Sequence, residues 1–179
     1  MKRFGVIDLG TNTFHLLIAE PDERGGFREL YRERHFIKLA EEGIEKIGAG
    51  AFERGLQAMQ NFKSKLIDYQ VFKTQAIGTA ALRTASNGMD FITQVQALTG
   101  IEVQLITGDR EAELIHTGVM RAIPVVDERM LIMDIGGGSV EFIIADQHEV
   151  FWAQSFPVGV AILYKNYHKS DPITIEEIE

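Results

Sequence analysis

An aspartate closing an apolar run, a turn nearly free of side chains, then a hydroxyl: this pattern occurs twice, in VIDLGTNTFHLLIA near the start and in MDIGGGSVEF at residues 133–142. Setting Asp8 on Asp134 aligns Gly10 with Gly136 and Thr13 with Ser139, and brings Ile18 and Ala19 onto Ile144 and Ala145. Glycines lack a Cβ, so backbone N–H groups can approach and converge on an anion. Thr13 and Ser139 add hydroxyl donors. The chemistry this suits is the grip of phosphate. Carboxylates repel phosphate unless a divalent cation lies between them, so Asp8 and Asp134 point to Mg²⁺ with retained waters. A single Asp-x-Gly at a strand end reads as a hairpin turn. Two matched copies between apolar strands, in separate halves of the chain, favour the phosphate reading.

Other phosphate and metal devices are excluded. No Gly-Lys-Ser/Thr closes either turn, so neither is a P-loop. A strand rather than a helix follows GGGSVE, which fails the dinucleotide pattern. The histidines show no His-Glu-x-x-His spacing for zinc, and His15, which aligns with Glu141, reads as a structural or hydrogen-bonded residue. With no cysteine there is neither a disulfide framework nor a thiol nucleophile, which fits a reducing cytoplasm. A formal net charge of −8 argues against general nucleic-acid binding, so an anionic ligand must be held by local donors. Arg24, Arg28, Arg32, Arg34 and Lys38 form a locally basic stretch, read first as the solvated face of a strand. The longest apolar runs are far too short to span a membrane, and the expectation is a soluble cytoplasmic protein.

These groups need elements to position them. Residues 4–8, 13–20 and 27–39 read as strands, with DERGG turning the second into the third. AFERGLQAMQNFKSKLIDY has helical spacing through Phe52, Leu56, Met59, Phe62, Lys63 and Leu66, after a loop at Gly48–Gly50. FKTQAIGTAALR reads as a strand entering a polar turn at Thr79, residues 88–99 as a helix, and IEVQLI as an alternating strand. Gly108 opens a helix to about Ala122, with Asp109, Glu111 and Glu113 at its electropositive start. IPVVDER reads as a hinge. Strands over 130–135, 139–146 and 149–156 repeat the opening arrangement, and DPITIEEIE reads as a helix start. Two domains are expected: 1–123, and 124–179 as the first part of a second domain without helices to cover its strands.

With these segments in hand, the chain resembles the exopolyphosphatase and guanosine pentaphosphate phosphatase family, within the actin, sugar-kinase and heat-shock-chaperone superfamily. The resemblance rests on DLGTNTFHLLIA and DIGGGSVEFIIA, and on GTAALRTASN at 78–87, ITGDREAELIHTGV at 106–119 and SFPVGVAIL at 155–163. Thr11 and Thr13 stand where serines are usual, which keeps the hydroxyls, and Val140 where threonine is common, which loses a donor. The resemblance implies an α/β fold with actin-like, ribonuclease H-like mixed sheets, in two domains with the site in the cleft between them. It implies Glu111 as the general base, and Asp134 and Glu141 as carboxylates that position magnesium or water. Gly10, Thr11, Asn12 and Thr13, with Gly136, Gly137, Gly138 and Ser139, match the phosphate loops, and Arg83 matches a basic residue facing the phosphate chain.

The expected activity is Mg²⁺-dependent release of terminal phosphate from polyphosphate or guanosine pentaphosphate, without nucleic-acid or membrane partners, and homodimers are common in the family. Judged on the residues alone, Glu111 could be a plain helix-start carboxylate, Glu141 the wet face of a strand, and Arg83 a bridge at a helix end. A small-molecule kinase of the same superfamily, or a sensor that binds polyphosphate or nucleotide without turnover, are the competing functions.

Overall fold

The computed structural model describes residues 2–23, 25–123 and 128–178; Arg24 and the hinge expected at Pro124 lie outside them. The chain divides into two compact units, residues 1–105 and 106–179.

The first unit is built on a five-stranded mixed sheet in the order β3-β2-β1-β4-β5, formed by β1 (Phe4–Leu9), β2 (Thr13–Pro21), β3 (Phe27–Phe36), β4 (Lys73–Gly78) and β5 (Val103–Leu105). The first three strands form an antiparallel meander, while β4 and β5 add in parallel. Side chains alternate across β2, so Phe14, Leu16 and Ile18 enter the core beside Ile7 and Leu9 of β1, all almost fully buried. Helices α1 (Ala49–Asp68) and α3 (Gly88–Thr99) supply Met59, Phe62, Phe91 and Val95 to that core. The short α2 (Ala80–Thr84) follows β4 where the sequence suggests only a polar turn.

Some boundaries differ from expectation for identifiable reasons. Gly48 caps α1 and Gly50 lies inside it, so this stretch is helix start rather than loop. The buried stripe of α1 runs through Ala51, Gly55 and Ala58 as well as Met59, Phe62 and Leu66, leaving Phe52 and Leu56 only partly buried. A Cβ on Gly55 would lie 2.8 Å from the Phe91 ring, so the small residues are what let α1 approach α3. β3 stops at Phe36 rather than 39 because the next backbone N–H groups are used elsewhere, as described below.

The second unit holds a three-stranded antiparallel sheet, β6 (Met130–Ile135), β7 (Val140–Ala145) and β8 (Val150–Phe156), with α4 (Gly108–Ala122), α5 (Val160–Tyr167) and α6 (Ile175–Ile178). Here an expectation is corrected: α4, assigned by the sequence reading to the first domain, packs on β7 and β8, so the second sheet does have a covering helix. An amphipathic pattern states that a helix needs an apolar surface but not which one. Ala112 and Ile115 of α4 meet Ile132, Ile143, Ala145 and Ala153 in a small core. The other face is apolar and open, with Leu131, Met133 and Ile135 each more than half exposed and Ile144 and Trp152 beside them.

Candidate functional site

The two turns identified from sequence have the same geometry. Gly10 N–H donates to the Thr13 carbonyl at 3.1 Å, and Gly136 N–H to the Ser139 carbonyl at 2.9 Å. In each copy a Cβ on the glycine would stand 3.0 Å from that same carbonyl oxygen. The strands extend the match: Asp8 pairs with His15 across β1–β2 as Asp134 pairs with Glu141 across β6–β7.

Each loop is also tied from behind by the segment that follows the third strand. In the first unit, Leu39 N–H donates to the Thr11 carbonyl at 2.8 Å, and Ile37 and Lys38 N–H groups donate to the Asn12 carbonyl at 2.9 and 3.0 Å. In the second, Val160 and Ala161 at the start of α5 donate to the carbonyls of Gly136 and Gly137, both at 2.9 Å. In a trans peptide the C=O and the following N–H point in opposite directions. Tying back the carbonyls therefore turns the N–H groups of Asn12 and Thr13, and of Gly137 and Gly138, away from the clamp. That orientation is what a phosphate cradle requires. The clamping role of these residues was not read from the sequence, although SFPVGVAIL carries the signal. Gly159 lies so close to the loop that a Cβ there would be 2.3 Å from the Gly137 carbonyl carbon and 2.4 Å from Gly138 N.

The side chains around the loops are arranged separately in each unit. In the first, loop 10–13 lies at the end of β1, and α2, with the exposed Arg83, leaves β4 at the same end of the sheet because β4 runs parallel to β1. Thr79 N–H ties that start to the Leu9 carbonyl at 3.3 Å. Asp8 is half-buried and Thr11 buried. Thr13 Oγ1 lies 2.9 Å from His15 Nε2, so the imidazole is a hydrogen-bonding partner of the loop hydroxyl, as its alignment suggested. Burial, reinforced by the charges of Arg34 and Arg32, lowers the His15 pKa and favours the neutral ring.

In the second unit Asp134, Glu141 and Ser155 form one row across β6, β7 and β8. The next row along, Ile132, Ile143 and Ala153, carries α4, so the polar row emerges on the same sheet face beside the first turn of that helix. Gly108 makes the close approach: a Cβ there would stand 2.6 Å from Ser155 Cβ. Glu141 is not on a wet strand face; it is 1% exposed, and Ser155 Oγ–H donates to its Oε1 at 2.6 Å. Glu111, in the first turn of α4, is half-buried with Oε2 shielded from solvent, whereas Asp134 is exposed. Thr107 caps this helix by accepting from Arg110 N–H at 3.2 Å. The structure thus gathers Glu111, Asp134, Glu141 and loop 136–139 in one unit, and Asp8, loop 10–13 and Arg83 in the other. Ser155 joins the candidate residues, legible only once the register of β7 with β8 is known.

No group of three or more acidic or histidine side chains converges on a cation position among the described residues. Asp134 and Glu141 are nonetheless cross-strand neighbours. One or two carboxylates with substrate phosphate and waters are the ordinary donor set for Mg²⁺, so these residues fit that ion. No helix among the described residues is long and apolar enough to cross a membrane.

Known proteins share this fold. An exopolyphosphatase from Cytophaga hutchinsonii matches over 98% of this chain and 57% of its own, with 40% identity and a TM-score of 0.94. A Ppx/GppA family member from Aquifex aeolicus matches over 99% and 58%, with 25% identity and a TM-score of 0.78. The chain therefore spans under three fifths of the length of these structures. The ethanolamine utilization protein EutJ from Carboxydothermus hydrogenoformans shares the fold alone, at 18% identity and a TM-score of 0.56 over 99% of this chain and 60% of its own. The expected actin-like mixed-sheet α/β class is the fold observed. The profile of the Ppx/GppA phosphatase family matches residues 17–179, from within the second strand of the first repeat through all three later segments, and the chain belongs to that family.

Proposed function

We propose that the protein is a phosphoanhydride hydrolase releasing terminal phosphate from inorganic polyphosphate or guanosine pentaphosphate. The observation that carries this reading is the carboxylate row Asp134–Glu141–Ser155 beside the start of α4, which bears Glu111, in the unit whose glycine loop turns its N–H groups outward. The similarity to a protein described as an exopolyphosphatase supports the substrate class.

In this reading the outward N–H groups of Gly137 and Gly138 hold the terminal phosphoryl oxygens and stabilise charge on them. Glu111 accepts the proton of a water whose oxygen bonds to the terminal phosphorus. The bridging P–O bond breaks, and the remaining phosphate chain departs with the electron pair. Glu141, fixed by Ser155, orients the water or its neighbours. A carboxylate base contributes ~10²–10⁴-fold to such a step. Asp134 and Glu141 are the residues that would hold Mg²⁺, which when bound neutralises phosphate charge.

The test measures phosphate release by the full-length protein from polyphosphate and from guanosine pentaphosphate, with Mg²⁺ and with chelator, beside Glu111→Gln. Metal-dependent release that collapses in the variant is expected, and the faster substrate names the activity. Binding without release from either substrate would leave a sensor in its place; release only with ATP and an acceptor would leave a kinase.

A further inference from the structure

The repeat assigns a second row. By the register that aligns Asp134, Glu141 and Ser155, the first unit has Asp8, His15 and Arg34. Where the second unit presents a carboxylate and a hydroxyl, the first presents an imidazole and a guanidinium. Resting on the reading above, we infer that Arg34 is a substrate-binding residue that holds a phosphate group next in the chain to the one seated in loop 10–13.

Three observations carry this. First, β3 bears several arginines, but their charges are not equally available. Arg28 is paired with Glu20, and Arg32 with Glu29 at 2.5 Å, whereas Arg34 has no carboxylate partner among the described residues. Second, the exposed Arg34 is not loose: its guanidinium lies over the Phe36 ring, 4.8 Å from the centroid. Phe36 is the register partner of Thr13, the residue that closes the loop. The ring therefore draws the cation along the strand toward the phosphate loop, across a gap of about 7 Å for two residues of strand. Third, the His15 ring between Asp8 and Arg34 is already engaged by the loop, its Nε2 lying 2.9 Å from Thr13 Oγ1, so the exposed Arg34 is the group of this row that is open to a ligand beyond the loop. A fork of N–H donors on a fixed plane suits phosphate oxygens, and a protein of net charge −8 needs such a local cation to hold a polyanion.

The experiment titrates full-length protein with inorganic phosphate and with tripolyphosphate in a calorimeter, and measures KM and kcat on polyphosphate. The variants are Arg34→Gln, Arg34→Met, which keeps the stem over Phe36, and Arg32→Gln as a charge-matched control. Losing one charge-assisted contact should weaken tripolyphosphate about tenfold and raise KM similarly in both Arg34 variants. Orthophosphate affinity, kcat and the Arg32→Gln values should stay close to those of the parent. Equal losses in the Arg32 and Arg34 variants would reduce the effect to general charge and overturn the assignment, as would unchanged tripolyphosphate binding in the Arg34 variants of a parent that does hydrolyse polyphosphate. A parent that neither binds nor hydrolyses polyphosphate would remove the hydrolase reading, and this assignment with it.

Discussion

Replacing Gly159 by alanine sets two effects of opposite sign against each other. Gly159 has φ −66° and ψ 168°, which any L-residue adopts, so local backbone preference favours alanine by about 0.4–1 kcal/mol through the unfolded chain. The added Cβ, however, would stand 2.3–2.4 Å from the backbone of Gly137 and Gly138. Carbon atoms pack at about 3.5–4.0 Å, so loop and helix must part by roughly 1 Å. The obstruction is main chain, so no side chain can rotate away, and overpacking of this kind costs about 1–3 kcal/mol. The displacement also stretches the bonds from Val160 and Ala161 to the loop carbonyls, both 2.9 Å, each worth about 0.5–1.5 kcal/mol. The net expectation is a loss of about 2–4 kcal/mol. Displacement of the N–H groups by about 1 Å should lower kcat for phosphate release on the order of 10²-fold. Thermal unfolding followed by circular dichroism, with a phosphate-release assay, measures both. A melting temperature at or above that of the parent, with turnover nearly intact, would refute the clamp.

Ser155→Ala removes the hydroxyl that donates to buried Glu141 at 2.6 Å, and should cost about 1–3 kcal/mol of stability with a fall in kcat. Added to Glu141→Gln it should cost much less, which a double-mutant cycle checks. Gly10→Ala and Gly136→Ala each bring a Cβ to 3.0 Å from the carbonyl that closes the loop, so the pair should lose phosphate affinity to similar extents in calorimetric titrations. The His15 pKa is lowered from an ordinary value near 6.5, first by burial and then by Arg34 and Arg32. The unfolded chain binds this proton more readily, so the His15 contribution is fully present above about pH 6.5 and is lost as pH falls through the depressed folded value. His15→Gln should flatten that limb of stability against pH, and Arg34→Gln should move the imidazole titration upward in an NMR experiment.

Much of this was legible in the residues. The loops, their repeat, and the strands on either side follow from apolar runs broken by glycine, and α3 and α4 lie over 88–99 and 108–122 as read. What was hidden depended on long-range partners. α5 follows Pro157 and Gly159 in a segment given no helix from the sequence, and its start is fixed by loop carbonyls more than twenty residues earlier. The end of β3 is decided likewise, by Ile37–Leu39 donating to Thr11 and Asn12 instead of to a neighbouring strand. Glu141 sits in an apolar–polar alternation that suggests water, yet the face it shares with Ser155 is the one α4 occupies. Alternation identifies faces; it does not say which face is covered.

The open apolar face of the second sheet bears on the order in which the molecule acquires its structure. In the first unit the repeat counterparts of that face, Ile7, Leu9, Phe14, Leu16 and Ile18, are closed over by α1 and α3 from the same stretch of chain. That unit contains what it needs to reach native packing early in synthesis, because chains emerge from the N-terminus and domains fold as units. The second unit carries Leu131, Met133 and Ile135 uncovered along an edge strand. Until something covers that strand, it is the place where nascent chains would pair with one another and where a chaperone would bind.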